Sequence, residues 1–228
     1  MSHERYEHYF DVTYRDLAKR AGVWRAVAGY LQRFIPRDAT VLDLGAGYCG
    51  FINAIQAGAK YAIDQGDVVT THAAPDVHAS VGDVSNLSAF TDSLFDVVFA
   101  SNLLEHLEEE PLTRTLAEVR RVLKPGGRFI AMQPNFAIAY RHYFDDFTHR
   151  RIFTHISLRD TLRAAGFDVL RVMPKFMPYS MRSNLPAHPG LVSLYLRSPW
   201  KPMAGQMLLV AEKPHPPAQT SISAARAQ

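Results

Sequence analysis

The segment Val41-Leu-Asp-Leu-Gly45-Ala-Gly47-Tyr-Cys49-Gly50 constrains the fold more than any other part of this 228-residue chain. An apolar run, Val41 to Leu44, breaks into a glycine-rich turn, and apolar residues resume at Phe51 and Ile52. That order reads as a buried strand, a tight turn and a helix N-terminus, the opening of a nucleotide-binding βαβ unit. Glycine suits the turn because it takes positive φ freely and puts no Cβ between backbone and ligand. Asp43, two residues before Gly45, narrows the ligand. A carboxylate there repels a pyrophosphate and attracts a ligand that carries an ammonium group.

After this turn, apolar runs alternate with amphipathic stretches, which implies an α/β fold with a parallel sheet covered on both faces. Tyr61-Ala-Ile63 reads as the second strand, Val77 to Val81 as the third and Phe95 to Ala100 as the fourth. A helix is expected from Pro111 at its first position, with Leu112, Leu116, Val119 and Val122 on one face. Lys124-Pro-Gly-Gly127 stops it before a fifth strand, Arg128 to Met132. Ser157-Leu-Arg-Asp160 reads as a capping box for a helix that Gly166 closes. Asp168 to Val172 and Gln206 to Ala211 complete seven strands.

Three stretches stand apart from this core. Residues 1–37 read as a helical and aromatic cap, holding Tyr6, Tyr9, Phe10 and Tyr14, with Leu17, Ala21, Trp24, Ala28 and Leu31 at helical spacing. Residues 136–156 and 174–205 read as substrate-side segments within a domain spanning 38–212, since long loops in a compact domain usually serve function. Residues 213–228, rich in Pro, Ser, Ala and Gln, read as a disordered tail.

The bulk numbers exclude little but agree. A formal charge of +3 is too small to argue for nucleic acid. The basic stretch of Arg141, Arg150, Arg151, Arg159, Arg163, Arg171 and Lys175 reads as a solvated face. Cys49 is the single cysteine, so no intrachain disulfide forms, and a reducing cytoplasm is expected. Neither a signal peptide nor a membrane span is visible.

Acids at three strand ends carry the chemistry: Asp43, Asp64 and Asp83. Ligands of open α/β sheets bind at the carboxyl ends of strands, where strand order reverses. An acid ending strand two can accept both ribose hydroxyls, since an ionised carboxylate has two acceptor oxygens. An acid past strand three can accept an adenine amino group.

With these residues stated, the chain resembles the class I S-adenosylmethionine-dependent methyltransferases, of the methyltransferase type 11-like group. The resemblance rests on Asp43-Leu-Gly-Ala-Gly47, on Phe95-Asp-Val-Val-Phe-Ala-Ser-Asn-Leu-Leu-Glu-His106 and on Leu123-Lys-Pro-Gly-Gly127. It implies a Rossmann-like seven-stranded sheet whose last strand is antiparallel, with S-adenosyl-L-methionine as cofactor. Carried over, Gly45, Ala46 and Gly47 line the methionine end and Asp43 holds its amino group. Asp64 with Gln65 binds ribose, Asp83 and Val84 bracket adenine, and Ser101 and Asn102 lie near the sulfonium. Cys49 stands where many members have a third glycine, so a reshaped turn is expected. The short stretch from Asp64 to Val77 implies a reduced second helix.

The catalytic signal is thinner. Positioning alone can carry much of a methyl transfer, but an oxygen or nitrogen acceptor often needs a base. His106 and His149 are the candidates, with His155 and the Tyr143-Phe-Asp-Asp-Phe-Thr-His149 segment nearby. In ubiquinone-biosynthesis and small-RNA 2′-O-methyltransferases, a Glu-x-x-Glu-His segment supplies metal ligands. Here Asn102 replaces the first acid, leaving Glu105, His106 and either His149 or Asp145, and no metal is expected.

The segment after the fifth strand also resembles bacterial members found with glycan-assembly enzymes, so a sugar or lipid-linked glycan oxygen is the expected acceptor. The Leu185 to Trp200 stretch is read as packing, with peripheral membrane contact as the alternative. Oligomeric state is left open. Rival readings are an RNA methyltransferase, an NAD(P)-dependent oxidoreductase and a non-catalytic cofactor-binding protein. No Asn/Asp-Pro-Pro-aromatic motif follows strand four to grip a flipped base, so nucleic acid is not the expected partner. Gly45-x-Gly47-x-x-Gly50 matches the dinucleotide fingerprint, but Asp43 has the wrong charge beside a pyrophosphate.

Overall fold

The computed structural model describes residues 17–179 and 188–216. Seven strands form one sheet: β1 (Thr40–Leu44), β2 (Ala59–Asp64), β3 (Val77–Val81), β4 (Phe95–Ser101), β5 (Leu123–Pro134), β6 (Asp168–Pro178) and β7 (Ala204–Glu212). Their order is β3-β2-β1-β4-β5-β7-β6. β1 pairs in parallel with β2 and β4, while β7 runs antiparallel to both β5 and β6. Strand order therefore reverses between β1 and β4, and Asp43 and Asn102 lie at that crevice.

The apolar runs become central strands because both faces of the sheet are covered. On β5, Ile130 and Met132 face one core and Phe129 and Ala131 the other; Leu208 and Val210 of β7 alternate with Met207 and Leu209 in the same way. The first core is closed by α1 (Leu17–Leu31) and α6 (Pro189–Arg197). The second is closed by α3 (Glu109–Val122) and α5 (His155–Ala164). Among the described residues there are also two shorter helices, α2 (Val68–His72) and α4 (Phe136–Ala139).

Several local expectations shift. No regular helix follows the glycine turn: residues 47–54 run as consecutive turns. Asn53 N–H donates to the Cys49 carbonyl and Ile55 N–H to that of Phe51, single helical turns that do not join into a helix. The helix α3 starts two residues before Pro111, capped at Glu108, and its predicted apolar face is buried as expected. The capping box of α5 pairs Thr154 with Ser157, three residues earlier than predicted, because Thr154 rather than Ser157 takes the extended cap conformation. Gly166 closes that helix at φ +83. The inward face of α1 is Val23, Ala26, Val27, Ala28 and Leu31, which buries the expected Ala28 and Leu31 and leaves Ala21 exposed.

The long segment after β6 also contains more structure than expected. β6 runs on to Pro178, and α6 packs against α1, burying Leu196. Leu185 and its neighbours at 180–187 lie outside the described residues, as do Tyr6, Tyr9, Phe10 and Tyr14 and the tail from 217. Among the described residues, no helix is long and apolar enough to cross a membrane.

Candidate active site

The turn after β1 is built by hydrogen bonds from its own amides. Gly45 and Ala46 N–H both donate to the Ile63 carbonyl of β2, at 2.9 and 3.1 Å. Gly45 lies at φ +72, a conformation that strains an L side chain, and a Cβ there would also press on the Leu103 side chain at 2.9 Å. Cys49 takes φ +56, the left-handed conformation that glycine favours. Its side chain fits because it is fully buried, with Sγ 3.3 Å from the Val69 carbonyl. Gly50 has a separate reason: a Cβ would stand 2.3 Å from Trp24 Cδ1.

Asp64 organises the same turn from β2. One carboxylate oxygen accepts Gly47 N–H at 2.8 Å and the other accepts Gly66 N–H at 2.9 Å. Beyond β3, Asp83 Oδ1 accepts Ser85 N–H at 2.8 Å, which sets the loop that carries Val84. At the end of β4, Asn102 has φ +49, and its N–H donates to Met132 of β5 at 2.8 Å. Its side-chain oxygen accepts from Gln206 of β7, so three strands fix this corner.

These residues converge on one cavity of about 900 Å³. Its wall includes Asp43, Gly45, Ala46, Gly47, Asp64, Gln65, Asp83, Val84, Ser101, Asn102 and His106. His149 does not line it. The His149 ring lies behind His106, centroids 4.9 Å apart, and against Tyr143 at 4.5 Å. His149 thus sits one ring back from the cavity wall. The cavity also recruits Trp24 and Arg25 of α1, Arg114 of α3, and Thr148 and Arg150 beyond β5. Sequence reasoning assigned Trp24 to packing and Arg150 to a solvated face. The aromatic density of the N-terminal region was the one available signal for a flanking wall.

Electrostatics sharpen the site. Burial pushes the Asp43 carboxyl up to about 8, and Asp64 beside it adds to the shift, while a backbone hydrogen bond from Ile52 opposes it. A ligand ammonium at this carboxylate would offset the cost of ionising it. That fits the amino group of S-adenosylmethionine, and two buried acids fit a dinucleotide pyrophosphate poorly. Burial, aided by His149, pushes the His106 imidazole down to about 4. His149 is also lowered by burial. Both rings are therefore neutral at pH 7.

Glu105, in the short turn Leu104–His106, ties this corner to the segment beyond β5. Its backbone carbonyl accepts Arg150 N–H at 2.8 Å and Arg151 N–H at 3.0 Å. Thr148 Oγ1 lies 3.0 Å from His106 Nδ1 and donates to Asp146. The side chains of Glu105, His106 and His149 meet here, with one ligand atom from each within 4.8 Å of the others.

Residues 42–131 match the model of the methyltransferase domain family. No curated protein sequence matches the chain. Among solved structures, the partner of the Trm112 methyltransferase activator of Haloferax volcanii in their complex shares 21% identity at a TM-score of 0.66. The alignment covers 84% of this chain and 90% of that one. A SAM-dependent methyltransferase of Archaeoglobus fulgidus shares 19% identity at a TM-score of 0.61, covering 82% and 93% of the two chains. One from Thermotoga maritima shares 16% identity at a TM-score of 0.65, covering 92% and 95%. At these identities the structural likenesses speak to the fold, and the family match speaks to the domain.

Proposed function

We propose that this chain is a class I S-adenosylmethionine-dependent methyltransferase and that it methylates an oxygen of a small-molecule acceptor, a sugar or lipid-linked glycan. The observation that carries the proposal is the continuity of the cavity. It runs from the acids of β1, β2 and β3 past the end of β4 to a polar wall of His106, Thr148, Arg150 and Arg114. At about 900 Å³ it lies near the top of the range for small-molecule sites, with space for an acceptor beside the cofactor. Hydrogen-bonding groups at the acceptor end suit a hydroxyl-rich ligand better than an apolar one.

When bound, the cofactor supplies an electrophilic methyl group on a sulfonium. Asp43 pairs with its amino group, and Gly45, Ala46 and Gly47 let the backbone approach its methionine end. Asp64, on the cavity wall with its carboxylate accepting Gly47 and Gly66 N–H, binds the ribose. Gln65 lies beside it, and Asp83 with Val84 frames adenine. Ser101 and Asn102 face the reacting centre. His106, neutral and on the wall, orients the acceptor hydroxyl for in-line attack; His149 acts only through His106. In this reading residues 38–212 hold the catalytic domain, α1 closes its first core and lends Trp24 and Arg25 to the cavity, and 136–156 and 174–179 flank the acceptor.

The test is transfer of a labelled methyl group to a panel of sugars, lipid-linked glycans, small amines and RNA. Label in a glycan hydroxyl is expected. Label confined to amines or to RNA would overturn the acceptor assignment while leaving the enzyme class intact.

A further inference from the structure

We propose that Glu105, His106 and His149 form a binding site for a first-row divalent transition-metal ion of the zinc type. Glu105 is fully buried, and neither carboxylate oxygen has a well-formed hydrogen bond, its own backbone N–H lying close without pairing fully. An unpaired buried carboxylate costs several kcal/mol unless a proton or a cation neutralises it. A proton would supply only one O–H and leave the rest unmatched. His149, 9% exposed, likewise has no partner at Nδ1. Its ring is hydrogen-bonded to the Tyr143 backbone. A neutral imidazole that donates from its other nitrogen presents a lone pair at Nδ1.

Two elements thus aim acceptor atoms at one point. The ligand atoms of the three residues lie within 4.8 Å of one another. A tetrahedral ion with bonds of about 2.1 Å holds its ligands about 3.4 Å apart, a difference that side-chain rotation can close. The Thr148 hydroxyl at His106 Nδ1, in turn bonded to Asp146, provides the outer support that metal-bound imidazoles receive. Two imidazoles and one carboxylate favour zinc, cobalt or iron(II) over magnesium or calcium, which prefer oxygen ligands. Because His106 also lines the cavity, a remaining coordination position would open toward the acceptor end, and with metal bound the acceptor would be oriented there rather than by the His106 ring. The third donor comes from the segment after β5, so the loss of an acid at Asn102 does not leave the site short of ligands.

The experiment uses the full chain, stripped with chelator and titrated with Co²⁺ alone, without cofactor or acceptor. Its outcome is therefore independent of the methyl-transfer reading. We expect one equivalent of Co²⁺ to bind with visible ligand-field absorption, displaced by Zn²⁺. Glu105→Gln and His149→Ala should each weaken uptake at least about tenfold, the scale at which even outer-sphere changes act. His78→Ala, an exposed position on β3, should leave it unchanged. Each variant is checked for folding by circular dichroism, and His149→Gln replaces any that fails. Absent absorption bands, or uptake unchanged in the Glu105 and His149 variants, would overturn the site. A Glu105→Gln protein that is more stable yet retains metal uptake would show that a proton neutralises Glu105.

Discussion

Cofactor binding should release a proton, and Asp43 is its source. In the free protein its carboxyl lies at about 8, so at pH 7 only about one molecule in eleven is ionised. Ionising it to pair with a ligand ammonium then costs about 1.4 kcal/mol at pH 7 and about 2.7 kcal/mol at pH 6. Affinity for S-adenosylmethionine should therefore fall about tenfold between pH 7 and pH 6. The useful window ends near pH 7.5, because α-amino groups themselves titrate at about 7.7 to 8.0. His106, at about 4, does not titrate inside it. Calorimetry in buffers of different ionisation enthalpy should count close to one proton released per cofactor bound. Asp43→Asn should bind more weakly at pH 7.5 and lose this pH dependence. The same shift has a stability consequence. A carboxyl raised in the folded state binds its proton more tightly there, so the ligand-free protein should lose stability as pH rises from about 4 toward 8. A wild-type affinity that stays flat from pH 5.5 to 7.5 would refute the reasoning, since Asp43 would then be ionised before the ligand arrives or remote from its ammonium.

Two further expectations concern the glycine turn. Burial, with Asp43 and Asp64 nearby, pushes the Cys49 thiol up to about 12, so a disulfide reagent should leave it unmodified in the folded protein and label it only after denaturation; rapid labelling under native conditions would contradict the buried position. Gly50→Ala must displace the Trp24 ring from the cavity wall; we expect a stability loss of about 1 to 3 kcal/mol by denaturant titration and weaker cofactor binding, and an unchanged Trp24 emission spectrum would show that the ring had not moved.

The elements legible in the sequence were those whose signal is local. Val77 to Val81 matches β3 residue for residue, and the apolar face of α3 is buried as its spacing implied. The acids at three strand ends were legible for the same reason: a carboxylate just past an apolar run sits at the mouth of a covered sheet wherever that run becomes a strand. Local pattern does not carry helix continuity. The residues after Gly47 have helical composition, yet they form a run of turns whose hydrogen bonds do not join into a helix. Nor does it carry contact across the chain. His106 and His149 are equivalent candidates in sequence, and only the folding of the post-β5 segment onto the Glu105 carbonyl puts one ring on the wall and the other behind it. The sequence by itself determined the strand order along the chain, the cofactor-side acids and the glycine turn, because each depends on neighbours within a few residues. The tertiary structure alone decided the crevice between β1 and β4, the left-handed Cys49 and the meeting of Glu105, His106 and His149, because each depends on which distant segments pack together.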